Sequence, residues 1–259
     1  MKKNRELKQF YDKVYLKGAK KHFTTFVVSA PTSDVKEVLE QISWKSKKVL
    51  EVGCGTGFFA YNVAKKGGKI LGIDYSSKAI NLAKSQFSHQ NLDFQQLDVN
   101  NIKEKFDVIV SNGTLEHMDD PLKTLKLFKK HLNPKGCIII TSPNWTNPRG
   151  YILLTLWYLF KAPITLADLH YLTPVDFQNF AKKLKMEINW STFDRSWSHG
   201  DVLIKDLERR IPNILRDARL PNDEKQIRNF IKWIKTNIVS LNNDLPHSGA
   251  TGLYVFSLK

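Results

Sequence analysis

Short apolar runs and amphipathic segments alternate along the chain from Lys47 onward. The apolar runs have the length of buried strands, and in order they are KKVLEV, KILGID, LDFQQLDV, KFDVIVSN and GCIIITSP. The segments between them carry apolar residues at helical spacing, and they include FFAYNVAKK, SSKAINLAKSQFS and PLKTLKLFKKHL. Ser76 or Ser77 can cap the second of these helices, and Pro121 opens the third. This alternation predicts a doubly wound α/β fold with a mostly parallel sheet and helices on both faces.

Two insertions interrupt the pattern after the fifth strand. Residues 144–172 are rich in aromatic side chains, and residues 195–245 carry further helical signals. Between them, TPVDFQNFAKKLK predicts a helix capped by Thr173 and MEINWSTFD predicts a sixth strand; TGLYVFSL predicts a seventh. We interpret residues 1–259 as one domain with a seven-stranded sheet, in which residues 1–43 and both insertions form a helical lid. Ligands bind above the carboxyl ends of the strands in such sheets, so the lid is expected to cover one shared site.

Composition narrows the classes of function. Lysine and arginine total 40 against 25 aspartates and glutamates, and the net charge of +15 favours a polyanionic partner or an anionic membrane surface. The basic residues are mostly lysines spread along the chain, whereas nucleic-acid recognition favours clustered arginines, so we do not expect a nucleic-acid partner. The 2 cysteines offer neither a metal cluster nor a disulfide framework, and the N-terminus lacks the apolar core of a secretory signal. We therefore expect a cytoplasmic protein without a metal site.

A glycine-rich segment, EVGCGTGFF, follows the first predicted strand and contains Gly53, Gly55 and Gly57. A dinucleotide fingerprint has the pattern G-x-G-x-x-G, and here Phe58 occupies the position of the third glycine. The Gly-Lys-Ser/Thr ending of a triphosphate-binding loop is also missing. The segment therefore predicts close approach of a ligand to the backbone, and argues against a dinucleotide or a nucleoside triphosphate as that ligand.

Several motifs, taken in order, resemble one known superfamily. VLEVGCGTGFFA, GIDYS, LDV, FDVIVSNGTLEHMDDP and LNPKGCIIITSPN occur in the order and at the intervals of class I S-adenosylmethionine-dependent methyltransferases. The resemblance covers residues 49–143 well and the remainder loosely. LEH and HYLTP are similar to the small-molecule branch that includes ubiquinone-biosynthesis O-methyltransferases. The resemblance implies a Rossmann-like methyltransferase fold, S-adenosylmethionine as cofactor and S-adenosylhomocysteine as product.

The same resemblance implies roles for individual residues around the cofactor. The glycines would contact its methionyl part, Glu51 would orient its amino group, and Asp74 would accept its ribose hydroxyls. The implied cofactor-binding residues are Glu51, Gly53, Gly55, Gly57, Asp74, Tyr75, Asp98, Val99, Asn112 and Thr114. Each has an ordinary structural explanation when taken alone, since glycine turns and strand-end aspartates are common. It is the ordered set that indicates the cofactor.

Two histidines are candidates for the general base that methyl transfer to a hydroxyl requires, because imidazole titrates near neutral pH. His117 lies in LEHMDD, after the fourth strand. His170 lies between the first insertion and the helix capped by Thr173. Either ring could instead hold its segment in place through hydrogen bonds. The sequence therefore leaves the identity of the base open.

The predicted activity is methyl transfer to a small-molecule acceptor, apolar or lipid-linked, at oxygen. Two alternatives are a nucleic-acid methyltransferase and a non-catalytic S-adenosylmethionine-binding regulatory module. Methyltransferases of base amino groups resemble one another in an Asn/Asp-Pro-Pro-aromatic turn after the fourth strand, where this chain has SNGTLEH. The apolar run YILLTLWYLF is shorter than the roughly 20 residues that cross a bilayer. It fits either a buried lid helix or an interfacial helix that makes peripheral membrane contact.

Overall fold

The computed structural model describes Gln9 and residues 33–165, 167–241 and 245–258. The expected N-terminal lid segment, 1–43, therefore lies largely outside the described residues. Within the described part, seven strands form one sheet in the order β3-β2-β1-β4-β5-β7-β6. The strands are β1 (Lys48–Val52), β2 (Lys69–Asp74), β3 (Leu92–Gln96), β4 (Phe106–Asn112), β5 (Leu132–Pro143), β6 (Met186–Phe193) and β7 (Thr251–Leu258).

The strands β1 to β5 pair in parallel, and β7 runs antiparallel between β5 and β6. The helices are α1 (Ser33–Leu39), α2 (Phe58–Lys65), α3 (Ser77–Gln86), α4 (Pro121–Lys130), α5 (Pro148–Phe160), α6 (Pro174–Leu184), α7 (Arg195–His199), α8 (Asp201–Asp217) and α9 (Glu224–Ile234). The predicted doubly wound fold with seven strands is thus confirmed.

The predicted helix starts are also confirmed by the capping geometry. The Ser76 hydroxyl accepts a hydrogen bond from the backbone N–H of Ala79 at 3.2 Å, which caps α3. Pro121 is the first residue of α4, and Asp120 caps that helix. At α6 the side chains of Thr173 and Asp176 form a reciprocal capping box. Local side-chain chemistry therefore sets where these helices begin.

Two strand boundaries differ from the prediction. The third strand ends at Gln96, two residues before Asp98, so the prediction of a strand through Val99 is wrong at its end. Asp98 instead caps a short 3₁₀ turn by accepting the backbone N–H of Asn100 at 2.8 Å. The fifth strand begins at Leu132, earlier than predicted, because its first residue pairs with Phe106 of β4 across a register shift.

The sheet separates two hydrophobic cores. One contains Leu50, Ile109 and Phe256, and the other contains Val49 and Val110 on the opposite face. A third cluster lies apart from the sheet faces and draws on both insertions. Its buried members include Trp145, Leu153, Ile164, Leu203, Leu207 and Ile231. The two insertions therefore fold against each other, although the helix and strand of residues 173–194 separate them in the sequence.

Parallel register brings four polar side chains to one edge of the sheet. Glu51 pairs with Gly72 of β2 and Val110 of β4. Asp74 and Asn112 each lie two residues beyond those partners, and Asn112 pairs with Thr141 of β5. Because side chains two apart in a strand point to the same face, Glu51, Asp74, Asn112 and Thr141 share one face at the carboxyl ends of four strands. The candidate site is therefore expected at the carboxyl ends of β1, β2, β4 and β5, where these side chains meet.

Candidate active site

The glycine segment adopts a backbone that other residues rarely reach. Gly53, Gly55 and Gly57 have φ values of +76°, +52° and +84°. Gly53 also packs closely, since a Cβ there would lie 2.4 Å from Thr114 Oγ1. At Gly57 a Cβ would lie 2.4 Å from the Phe94 ring. Gly53 is thus required both by its conformation and by its contact with the turn after β4.

The Asp74 carboxylate anchors this loop. Its Oδ2 accepts the backbone N–H of Gly55 at 3.1 Å, and its Oδ1 accepts the N–H of Ser76 at 2.8 Å. The residue is only 6% exposed. A buried carboxylate that accepts backbone N–H groups holds those groups in place, so Asp74 couples the end of β2 to the glycine loop.

Glu51 and Asn112 lie side by side beneath the loop with hydrogen-bonding capacity to spare. Glu51 Oε2 and both polar side-chain atoms of Asn112 are buried and make no hydrogen bond of good geometry with the residues that the structure describes, although the Asn112 amide is close enough to lower the pKa of Glu51. Burial raises the pKa of the Glu51 carboxyl well above its ordinary value. Buried polar groups are nearly always paired in folded proteins. This donor and acceptor set therefore suits a polar ligand group at the same edge.

The remaining predicted cofactor residues lie around this edge at different depths. Thr114 contacts the glycine loop, and its hydroxyl donates to the Asn112 carbonyl at 2.9 Å. Tyr75 is half-buried, directly after Asp74. Asp98 is exposed and Val99 packs partly on the first core, both in the turn after β3. The structure thus brings Thr114 and Tyr75 next to the loop and its anchor, and puts Asp98 and Val99 at the end of the adjacent strand.

The two candidate histidines join the turn after β4 to the end of the first insertion. His117 Nδ1 lies 3.2 Å from the Ala167 carbonyl oxygen, and His170 Nε2 lies 2.9 Å from the Met118 carbonyl oxygen. The Glu116 carbonyl oxygen accepts the backbone N–H groups of Leu169 and His170, at 3.0 and 3.1 Å. The sequence placed these histidines in separate segments, and the structure brings those segments together.

The protonation state of His117 follows from its contacts. A carbonyl oxygen only accepts, so Nδ1 carries the proton and Nε2 carries the lone pair. The side chain is 17% exposed, and burial lowers its pKa. The ring is therefore neutral at physiological pH, with Nε2 as its basic nitrogen.

Two buried carboxyl groups, those of Glu116 and Asp168, lie near His117, and the sequence did not predict that they come together. Asp168 Oδ1 lies 3.5 Å from His117 Nδ1, and Glu116 Oε2 accepts the Ser142 hydroxyl at 3.3 Å. Burial raises the pKa of both carboxyls. The charge of Asp168 raises the pKa of Glu116 further, whereas His117 opposes the rise at Asp168. No local motif marks Asp168, because its position beside His117 depends on how the first insertion folds back.

An ion network inside the two insertions was also missed. The carboxylate of Asp206 in α8 accepts a hydrogen bond from Arg149 Nε at 3.0 Å. It also accepts two from Arg210, at 3.0 and 3.1 Å. Arg209 adds a further contact at 3.1 Å. Arg210 is completely buried, and its Nη1 donates to the Ile164 carbonyl at 3.1 Å. The only sequence signal is the i, i+4 spacing of Asp206 and Arg210 on a helix.

The apolar run Tyr151–Phe160 forms most of α5 and has two different sides. Leu153 is fully buried in the third cluster, whereas Tyr151, Tyr158 and Leu159 are exposed at the spacing of one helix face. Tyr158 and Leu159 are 64% and 69% exposed. The burial expected of this helix is therefore met on one side only. None of the described helices is long and apolar enough to span a membrane.

Comparison with known proteins gives a common result. A family model described as a methyltransferase domain matches residues 43–207. The chain is 29% identical over 154 residues to the ubiquinone biosynthesis O-methyltransferase of Actinobacillus pleuropneumoniae, covering 56% of this chain and 63% of the relative. It is 32% identical over 123 residues to the enzyme of that name from Coxiella burnetii, covering 46% and 52%. The chain thus spans between half and two thirds of these relatives.

A solved structure supports the same assignment at the level of the fold. The S-adenosylmethionine-dependent methyltransferase from Thermotoga maritima matches 98% of this chain and 97% of its own, with a TM-score of 0.57 and 16% sequence identity. The family model covers well over half of the chain. The chain therefore belongs to the methyltransferase domain family, and its fold is that of the class I S-adenosylmethionine-dependent methyltransferases.

Proposed function

We propose that this methyltransferase transfers the methyl group of S-adenosylmethionine to a hydroxyl oxygen of a small, apolar or lipid-linked acceptor. The observation that carries the proposal is the edge where the glycine loop, Asp74 and the turn containing His117 meet, because Thr114 of that turn packs directly on Gly53. The similarity to relatives named ubiquinone biosynthesis O-methyltransferase supports an oxygen acceptor.

The residues at this edge fit the cofactor. Its methionyl end carries an ammonium and a carboxylate, which would satisfy the unpartnered Glu51 Oε2 and Asn112 amide. Asp74 would accept the ribose hydroxyls, with Tyr75 beside the adenine, and the turn at Asp98 and Val99 would hold the far side of that ring. When bound, the cofactor supplies an activated methyl group. The protein's task is then to position the acceptor oxygen and remove its proton.

His117 is the residue that we propose as the general base. Its low pKa keeps the ring neutral, and its Nδ1 proton is committed to Ala167, so Nε2 would take the hydroxyl proton. His170 is the second candidate, with its Nε2 committed to Met118. Replacement of His117 by Asn keeps a donor toward Ala167 but removes the basic nitrogen. Loss of turnover in that variant with unchanged S-adenosylhomocysteine binding would support a base, and unchanged turnover would contradict it.

The two insertions, 144–172 and 195–245, are proposed as the lid over the acceptor. They support this role because they share one hydrophobic cluster, and because the first insertion ends in the segment that binds the His117 turn. The exposed apolar face of α5 supports an acceptor with an apolar part that the enzyme meets at a membrane surface. Flotation with anionic vesicles tests that contact: wild-type protein should float, and Tyr158→Ser/Leu159→Ser protein should not.

Calorimetry with S-adenosylhomocysteine tests the central proposal about the site. Wild-type protein should bind, and Asp74→Ala should abolish binding because it releases both Gly55 and Ser76. Asp93→Ala is the matched control, since Asp93 also accepts a local backbone N–H, that of Phe94 at 2.8 Å, but lies outside the site. Equal binding in the Asp74 variant would overturn this assignment. A steep salt dependence of RNA binding would instead favour the nucleic-acid alternative.

A further inference from the structure

The guanidinium group of Arg149 forms a hydrogen bond through its Nε atom, whereas its two terminal nitrogens form none in the part of the chain that the structure describes. Arg149 is the second residue of α5, and its Nε donates to Asp206 Oδ2 at 3.0 Å. The guanidinium carbon lies 5.7 Å from the centroid of the Trp145 ring. In the part of the chain that the structure describes, neither terminal nitrogen of Arg149 makes a hydrogen bond. Neither nitrogen is among the fully buried polar atoms that lack a partner, so both are accessible to solvent. Four N–H donors therefore remain at the accessible end of a side chain that is 11% exposed.

The surroundings of Arg149 carry excess positive charge. The guanidinium groups of Arg149, Arg209 and Arg210 share the carboxylate of Asp206, and Asp168 is a second carboxyl group that interacts electrostatically with Arg149 and Arg210. Three cations therefore face two carboxyl groups. Although burial opposes it, Arg149 and Arg210 hold the pKa of Asp206 below its ordinary value. Arg149 also lies in the first turn of α5, where the helix dipole disfavours a cation. Like charges that are largely removed from water are unfavourable unless an anion offsets them.

The position of Arg149 associates it with the acceptor side of the site. Trp145, against which it stacks, follows directly after β5 and contacts the ring of Tyr171, next to His170, at 5.0 Å. Arg149 also acts electrostatically on Asp168, which lies 3.5 Å from His117. These contacts connect it to both candidate bases. The glycine loop and Asp74 lie at different strands of the sheet edge.

We propose that Arg149 is a specificity-determining residue that binds an anionic group of the methyl acceptor, a carboxylate or a phosphate, through its two terminal nitrogens. The proposal rests on the proposed function, since it assigns a substrate class to the same site. A guanidinium presents parallel N–H donors that match both anions in a two-point contact. Asp206 and Trp145 fix the plane of that fork before the acceptor arrives, which reduces the entropy lost on binding.

The test uses benzoate and phenyl phosphate as probes, with saturating S-adenosylhomocysteine bound to the full chain. In wild-type protein labelled with ¹⁵N at arginine, the Nε–H signal of Arg149 should shift saturably with at least one probe. Arg149→Lys identifies that signal and keeps a positive charge near Asp206. Calorimetry of the same probe should show binding to Arg149→Lys weakened about tenfold, roughly 1.4 kcal/mol. Arg228→Lys, at an exposed pair with Glu224, is the matched control and should change nothing.

The outcomes separate the two proposals. Wild-type protein that does not bind S-adenosylhomocysteine contradicts the proposed function. If wild-type protein binds S-adenosylhomocysteine but neither probe changes the chemical shift of the Arg149 Nε–H signal, the inference about Arg149 is overturned. Probe binding that survives Arg149→Lys unchanged also overturns it, because surface lysines would then be the anion site. A shift with benzoate alone identifies a carboxylate acceptor, and one with phenyl phosphate alone identifies a phosphate acceptor.

Discussion

His117 and His170 each hydrogen-bond the backbone of the other's segment. His117 reaches the Ala167 carbonyl at 3.2 Å, and His170 reaches the Met118 carbonyl at 2.9 Å. The two bonds and the Glu116 carbonyl bonds to residues 169 and 170 close the turn after β4 against the end of the first insertion. Each ring therefore orders a loop, and the same bond fixes which nitrogen keeps the lone pair. A structural role and a chemical role are compatible in both residues.

The first prediction concerns Asp168 and His117. Burial lowers the pKa of His117, and the nearby Asp168 carboxyl acts in the opposite direction. Replacing Asp168 by Asn removes that opposing charge, so the pKa of His117 should fall further. Titration of the histidine ring signals by NMR measures the change, and Asp93→Asn serves as a distant control. An unchanged or higher pKa of His117 in Asp168→Asn would contradict the predicted electrostatic attraction between the two side chains.

The second prediction concerns Glu51. Burial raises the pKa of its carboxyl above the unfolded value of about 4.3, so ionisation of Glu51 imposes a free-energy penalty on the folded state. This penalty is absent below about pH 4.3 and grows as the pH rises toward the folded pKa. Glu51→Gln should therefore raise the unfolding temperature at pH 7, by roughly 2 to 4 °C per kcal/mol of relief, and the gain should vanish near pH 4.

The same Glu51→Gln variant should bind S-adenosylhomocysteine more weakly, because glutamine has no proton to release and cannot become the carboxylate proposed to face the ligand's ammonium group. Thermal unfolding from pH 4 to 8 and calorimetry measure the two effects. Glu104→Gln is a suitable control, since Glu104 is exposed and its pKa is lowered by Lys48. A Glu51→Gln variant that is less stable at pH 7 would disprove the predicted penalty.

The third prediction separates two demands on Gly53. Gly53→Ala meets both an unfavourable φ of +76° and a collision with Thr114, whose Oγ1 would lie 2.4 Å from the new Cβ. Gly67→Ala is a matched control with φ +85° and no atom closer than 3.7 Å, and should cost about 1 to 2 kcal/mol. Gly53→Ala should cost more, and Thr114→Ala should partly rescue it. Additive effects of the Gly53 and Thr114 changes in denaturant unfolding would argue against the collision.

The fourth prediction concerns the buried ion network. Asp206→Ala leaves Arg149 and Arg210 without their carboxylate and should destabilise the protein by roughly 3 to 5 kcal/mol. Glu224→Ala removes the partner of Arg228 in an exposed pair of the same i, i+4 spacing, and should have little effect. Urea unfolding of both variants gives the comparison. Equal stability of the two variants would mean that the network contributes no more than a surface pair.

Some of the fold and of the site could be predicted because neighbours in the chain determine it. Alternation of apolar runs and helical segments specifies a parallel sheet, and Ser76, Pro121 and Thr173 mark helix starts through their own side chains. Parallel strands end at one edge, so the polar residues after each strand were expected to meet there. The end of β3 was mispredicted because Asp98 pairs locally with Asn100, which competes with strand formation.

What the sequence by itself determined is the sheet, the glycine loop and its anchors. What only the tertiary structure decided is the acceptor side, where Arg149 meets Asp206 across 57 residues and His170 meets Met118 across 52. Backbone sterics and periodicity are encoded within a few neighbouring residues, so they can be read along the chain. Contacts between the insertions follow no such period. They form because apolar side chains of both segments bury one another, and that packing carries the buried charges into place.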